Sequence, residues 1–147
     1  MNKLIIEMRK VMAFGTFDLL HPGHIDFLKQ AKSMGNYLIV VVSRDDSAFS
    51  AKGMKPINSQ SQRAELVSSI KFVDEVSKGK KNHLKIIQEI QPEVIALGYD
   101  QKISVKKLKQ ELNSLGLNPE IKRCRAFKSH KFKSSKIRKK IIKECGK

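Results

Sequence analysis

The chain is short of cysteine, of aromatic residues and, in its final third, of acid. Cys124 and Cys145 are the only thiols in 147 residues. Their separation fits no zinc or redox motif, and two thiols in a chain of this size imply no disulfide framework. Tryptophan is absent and aromatics make up 6% of the residues. The basic tail holds only Phe127 and Phe132, which gives stacking on single-stranded bases little support. No apolar run approaches the ~20 residues that a membrane helix requires. The apolar stretch within residues 1–7 is too short for a secretory signal. A cytoplasmic location without a membrane partner is therefore expected. Met8 stands immediately before the first strand, so residues 1–7 read as an N-terminal extension. With no internal repeat and no low-complexity linker, residues 1–147 read as a single domain, long enough for a real hydrophobic core.

The acid deficit is local. Residues 1–100 hold 14 Lys/Arg against 11 Asp/Glu, a net of +3, whereas residues 101–147 hold 16 against 3, a net of +13. Residues 125–147 form the basic C-terminal loop and helix. Such a tail attracts polyanions, whether nucleic acid, anionic membrane or a phosphorylated substrate. A lysine-rich solvated face is the plainer reading of most of these residues.

What the chain does contain is regular alternation. Short apolar runs at 10–14, 37–43, 72–76, 93–97 and 120–124 read as strands. The run from Tyr37 to Ser43 is continuous, as in a strand covered on both faces. Helical spacing marks Pro22 to Met34, with Gly35 as its stop, then Ser59 to Ile70, Asn82 to Ile90 and Val105 to Leu115. Ser134 or Ser135 is expected to cap a last helix with the stripe Ile137, Ile141 and Cys145. Arg44 to Ile57 reads as a polar, lysine-containing loop. The pattern predicts an α/β, Rossmann-like three-layer fold: a mostly parallel five-stranded sheet with helices on both faces. Ligands of such sheets bind beyond the carboxyl ends of the strands, where strand order reverses.

The most informative segment is Gly15-Thr16-Phe17-Asp18-Leu19-Leu20-His21-Pro22-Gly23-His24. It joins the first strand to the first helix. Gly15 permits a sharp turn, and Pro22 suits the first helical position. The residue before a proline is pushed out of helical geometry, which places His21 just outside the helix and His24 in its first turn. A helix start offers free N–H groups to a phosphate, and two imidazoles there add donors for a polyphosphate. A satisfied pair of surface histidines at a helix cap is the plain alternative. A metal site built on Asp18, His21 and His24 lacks the further Cys/His cluster that would complete a shell, so no protein metal site is expected.

These residues resemble the GTFDxxHxGH signature of the cytidylyltransferase-like nucleotidylyltransferases. Lys52-Gly53-Met54-Lys55-Pro56 resembles that family's basic loop, and Gln62-Arg63 with Val73-Asp74 its middle helix and following strand. Ala96-Leu97-Gly98-Tyr99-Asp100-Gln101 is similar to its nucleotide-binding turn. The tail, Arg123 to Lys128 and then Phe132-Lys133-Ser134-Ser135, resembles the archaeal-type FAD synthases. It departs from the Arg-x-x-Gly-Ile-Ser-Thr ending of the glycerol-3-phosphate cytidylyltransferases.

The resemblance implies transfer of AMP from ATP to FMN, giving FAD and pyrophosphate, with magnesium as the divalent ion carried by ATP. It assigns His21, His24 and Lys52 to catalysis. Thr16, Phe17, His21, Pro22, Gly23, His24, Asp100, Ser134 and Ser135 would bind the nucleotide. Lys55, Arg63, Lys71, Arg125, Phe127 and Lys128 are further candidates. Helix surface charge is the equal alternative for Arg63 and Lys71, and core packing for Phe127. Two other functions stay open: cytidylyl transfer to glycerol-3-phosphate or a similar alcohol, and non-catalytic nucleic-acid binding through the tail. Related proteins are often dimers, so a homodimer is a further expectation.

Overall fold

The computed structural model describes residues 7–127 and 133–146. Its elements alternate: β1 (Lys10–Gly15), α1 (Pro22–Ser33), β2 (Tyr37–Val42), α2 (Asp45–Lys52), α3 (Gln60–Ser68), β3 (Glu75–Lys78), α4 (His83–Ile90), β4 (Val94–Leu97), α5 (Val105–Ser114), β5 (Glu120–Arg123) and α6 (Ser134–Cys145). All strand pairs are parallel, in the order β3-β2-β1-β4-β5. The chain begins in the middle of the sheet, builds outward through β2 and β3, then returns past β1 to add β4 and β5. The reversal lies between β1 and β4, where Met12 faces Ile39 on one side and Ile95 on the other.

Strand side chains alternate between two cores. Val11, Ala13, Val40, Val94 and Ala96 pack with Leu28, Ala31 and Val67 of α1 and α3. Met12, Val41, Ile95 and Leu97 pack with Ile86, Ile87, Leu108 and Leu112 of α4 and α5. Each fully buried side chain of this size contributes about 1.5–3 kcal/mol. Both faces of the sheet are thus covered, which explains the unbroken Leu38–Val42 run. Among the described residues, no helix is long and apolar enough to cross a membrane.

The structure corrects several local expectations. The polar loop after β2 contains a helix, α2. Asp45 and Asp46 occupy its first turn, where acid favours a helix, and Gly53 at φ 73° ends it. Only Ala48 of this helix is buried, so no apolar stripe announced it. β3 starts at Glu75 rather than Phe72, because Phe72 and Val73 pack on the core from the turn that precedes the strand. Gly35 follows Met34, the C-cap of α1, as a stop glycine should, but without the left-handed backbone usual there. A Cβ on Gly35 would stand 2.5 Å from the Arg9 carbonyl oxygen, so close backbone approach is what requires glycine there. Lys133, not a serine, is the N-cap residue of α6. The α6 stripe buries none of its residues, and Ile141 is half exposed.

Candidate active site

The loop after β1 is shaped by two residues in the left-handed region, Phe17 (φ 55°) and Leu19 (φ 52°). Such backbone is uncommon outside glycine and concentrates at functional sites. Phe17 folds back over the turn, 2% exposed, and a Cβ on Gly15 would lie 2.6 Å from its ring. Phe17 can therefore offer a ligand its backbone but hardly its ring. Thr16 Oγ1 accepts a hydrogen bond from Ser43 Oγ at 3.0 Å, tying the β1 and β2 loops together.

His21 is the N-cap of α1 and extended (φ −144°), with Pro22 first in the helix. The two histidines cap the helix reciprocally. Gly23 N donates to His21 Nδ1 at 3.0 Å, and His21 N donates to His24 Nδ1 at 3.2 Å. Their rings lie 3.9 Å apart between centroids, and Phe17 meets His24 edge-on. Burial pushes the His24 imidazole down to about 3, reinforced by His21 and Lys52 and opposed by Asp18. Burial and then Lys52 lower His21 as well. In neutral rings whose Nδ1 atoms accept, the proton sits on Nε2. Among the described residues no hydrogen bond occupies either Nε2. The cap reading and the ligand reading are therefore compatible: one nitrogen of each ring holds the helix, and the other is an oriented donor.

Positive charge comes from elsewhere. Lys52 is the last residue of α2, not a loop residue as expected, and is exposed. Loss of solvation around its ammonium lowers its pKa. Asp100 and Asp18 favour its charge, while Arg138 and Lys133 oppose it. These interactions bring Lys52, the histidines and the loops after β1 and β4 into one electrostatic group. Asp100 is exposed on the β4 loop, with Lys133 Nζ 3.6 Å from Oδ2. That loop is held by Gln101, which accepts from Gly98 N (2.9 Å) and donates to Phe14 O (2.7 Å), bridging β4 to β1 at the reversal. Arg123 braces it through the carbonyls of Gly98, Gln101 and Ile103.

Asp18 organises rather than reacts. It is 4% exposed, and its carboxylate accepts from Ile57 N (2.7 Å), Asn58 N (3.0 Å) and Arg138 Nη2. Burial pushes its pKa up, but the donors of Ile57, Asn58 and Arg138 together hold it below the usual carboxylate range. Ser134 Oγ donates to the Asp18 carbonyl at 2.9 Å, so α6 is fastened to the β1 loop at two points. Ser134 and Ser135 begin α6 and bring its N-terminal amides beside this loop.

Other expected residues fall differently. Arg63 is 0% exposed, neither surface charge nor an available phosphate ligand. It donates to the carbonyls of Asn58 (3.0 Å), Thr16 (2.6 Å) and Ser43 (2.8 Å) and to Asp45 Oδ1 (2.6 Å). Lys71 is exposed in the turn before β3, at the amino end of the sheet and opposite the crevice. Lys55 reaches the group through its backbone: its carbonyl lies 3.4 Å from Arg138 Nη1. Arg125 follows β5, exposed, with its N–H bound to Gln30 Oε1 at 2.9 Å. Phe127 lines a cleft of about 500 Å³ with Leu20, His21, Pro22, Ile25, Asp26 and Lys29. Lys128 lies outside the described residues. Sequence reasoning assigned no role to Arg138, Gln101 or Arg123. A signal existed for Arg138, which sits one helical turn after Ser134 on the same face. Gln101 stood in the run resembling the nucleotide-binding turn, but nothing there marked its bridge from β4 to β1.

Residues 12–140 match the family described as Cytidylyltransferase-like. The FAD synthase of Thermococcus sibiricus is 45% identical over 136 residues, spanning 90% of this chain and 92% of that one. The FAD synthase of Methanobrevibacter smithii is 45% identical over 142 residues, 92% of each chain. Among solved structures, a protein of Thermoplasma volcanium named for lipopolysaccharide core biosynthesis is 40% identical. It superposes with a TM-score of 0.80 over 82% of this chain and 99% of that one. A pantoate–β-alanine ligase of Francisella tularensis (20% identical, TM-score 0.58, 87% of this chain and 64% of that one) shares the fold alone.

Proposed function

The chain belongs to the cytidylyltransferase-like family, and we infer that it is an FMN adenylyltransferase, joining AMP from ATP to FMN to give FAD and pyrophosphate. A phosphate oxygen of FMN forms a bond to the α-phosphorus of ATP, and the bond from that phosphorus to the β-bridging oxygen breaks. The attacking phosphate is already ionised at neutral pH, so the reaction needs no strong base. The obstacle is charge, as two anions meet while negative charge moves onto the leaving pyrophosphate. Preorganised donors and in-line positioning meet that obstacle.

The observation that carries the reaction class is the pair of neutral imidazoles beside Lys52 whose Nε2 donors are open among the described residues. In our reading they bind the triphosphate, with His24 strengthening its contact in the transition state. Lys52 brings a cation to the phosphates from the end of α2. The amides at the start of α6, with Ser134 and Ser135, hold the leaving phosphates. Thr16 and Phe17 offer backbone to the nucleotide, Pro22 and Gly23 line its approach while the Gly23 N–H stays with His21, and Asp100 contacts the nucleoside. A divalent ion, magnesium in our reading, arrives with ATP as part of the substrate and neutralises charge on its phosphates. Among the described residues no three His, Cys, Asp or Glu side chains form a metal cluster. The buried Asp18 carboxylate is already taken by Arg138 and two amides.

FMN as acceptor is supported by the names of the relatives above. The test is direct: purified protein with magnesium and ATP or CTP, and with FMN or glycerol-3-phosphate. FAD from ATP and FMN is expected. Turnover only with CTP and glycerol-3-phosphate would replace this reading with cytidylyl transfer.

A further inference from the structure

The cleft beside His21 has a composition that a triphosphate does not need. One stripe of α1 forms its floor: Pro22, Ile25, Asp26 and Lys29, with Leu20 before the helix and Phe127 arriving from the chain after β5. From Pro22 to Lys29 this stripe runs about 10 Å along the helix, the length of three fused rings. A volume of about 500 Å³ lies in the usual range for small-molecule sites. Leu20, Pro22, Ile25 and Phe127 give apolar walls, and Asp26 with Lys29 gives one acceptor and one donor toward the end remote from His21. Gln30 Nε2 donates to Asp26 Oδ2 at 2.6 Å and to the Arg125 carbonyl at 3.0 Å. This link fixes the carboxylate against the chain that leads to Phe127. The cleft lies on the α1 face, whereas Asp100 lies on the loop after β4, across the reversal of strand order.

We propose that this cleft is the acceptor subsite and holds the isoalloxazine ring of FMN, stacked against Phe127, with its phosphate at His21. The inference rests on the FMN adenylyltransferase reading and adds where the flavin sits. The pyrimidine edge of the flavin offers an N–H flanked by two carbonyls. Asp26 accepts from that N–H, and Lys29 donates to one of the carbonyls. The ribityl chain then leads toward His21, where the phosphate meets the α-phosphorus of ATP. Phe127 and Lys29 are specificity residues here, without contact to the reacting atoms.

The test uses the full chain and three variants: Phe127→Ala, Lys29→Ala and Asp26→Asn. In steady-state assays of FAD formation, Phe127→Ala raises the KM for FMN about tenfold or more, the effect of losing one ring-stacking contact. Its KM for ATP stays within twofold. Lys29→Ala, at an exposed position that the fold tolerates, raises the KM for FMN severalfold in the same selective way. Asp26→Asn does likewise, because its amide can no longer act as a full carboxylate acceptor. Riboflavin, which carries the ring without the phosphate, competes with FMN and not with ATP in the parent protein, and this inhibition weakens in Phe127→Ala. A parent protein that makes FAD while all three variants keep its KM for FMN overturns the subsite and leaves the activity standing. Riboflavin competing with ATP would also overturn it. A parent protein that makes no FAD from ATP and FMN overturns both readings.

Discussion

Replacing Arg63 by methionine should cost stability before it costs chemistry. The guanidinium is wholly buried and links four segments: the β1 loop at Thr16, the end of β2 at Ser43, the start of α2 at Asp45 and the turn at Asn58. Asp45 is 49% exposed on its side chain, so that ion pair adds little after solvent screening. The three carbonyls matter more. Methionine fills much of the volume but leaves them without their donor in a dry site. A buried acceptor left without its donor costs about 1–3 kcal/mol, so losing the donor to all three carbonyls costs about 3 kcal/mol or more. That is a large share of the ~5–15 kcal/mol that holds a domain together, and it lowers Tm by ~10 °C or more at this chain length. Urea unfolding followed by far-ultraviolet circular dichroism measures the loss, and an unaltered m-value would show that the unfolding reaction is the same. Arg63→Lys should fall between, because one ammonium reaches fewer of the carbonyls. A loss below ~1 kcal/mol together with abolished turnover would refute the reasoning and return Arg63 to the phosphates.

His24→Ala should lower kcat about 10²–10³-fold, as expected for one lost donor at a developing charge, with a modest stability loss from the missing cap; unaltered turnover would remove His24 from the mechanism. Because His24 stays neutral down to about pH 3, the kcat/KM profile of the parent protein should show no limb near pH 6 that disappears in His24→Ala. Lys52→Ala should reduce kcat/KM at least tenfold while Tm moves only a few degrees, since the exposed end of α2 has little packing to lose; a large drop in Tm would contradict that placement. Asp18 has a depressed folded pKa, so its stabilisation is present above the unfolded value near 4 and is lost as pH falls through the folded value. Asp18→Asn should therefore be less stable at pH 7 yet lose less on acidification from pH 6 to pH 2.5, and equal acid sensitivity of the two proteins in urea titrations would count against the tether.

The sheet was legible in the sequence because buried parallel strands leave continuous apolar runs, as in Leu38–Val42 and Val94–Leu97. The β1–α1 junction was legible too, because Gly15, Pro22 and the paired histidines each have a narrow set of backbone uses. α2 was hidden: a helix with one buried residue has no periodicity to read. Arg63 was legible as a basic residue on a helix but not as a buried one. Its burial depends on carbonyls from Thr16, Ser43 and Asn58, which meet only after the sheet has formed. Gln101 and Arg123 stood within the quoted motifs, but their bracing role was hidden for the same reason, since a polar side chain bound to backbone leaves no pattern along the chain. The nitrogen that each histidine reserves for the helix was also beyond sequence, because tautomer choice follows from contacts rather than residue type.

The double use of those imidazoles carries a cost for any remodelling of the enzyme. The same rings that close the first turn of α1 aim its outward protons, so helix formation and donor alignment are a single event. Fraying of that turn would disarm the protein without unfolding it. Exchange of the Gly23 amide with deuterated solvent is accordingly a measure of readiness for turnover, obtainable with no nucleotide in the tube.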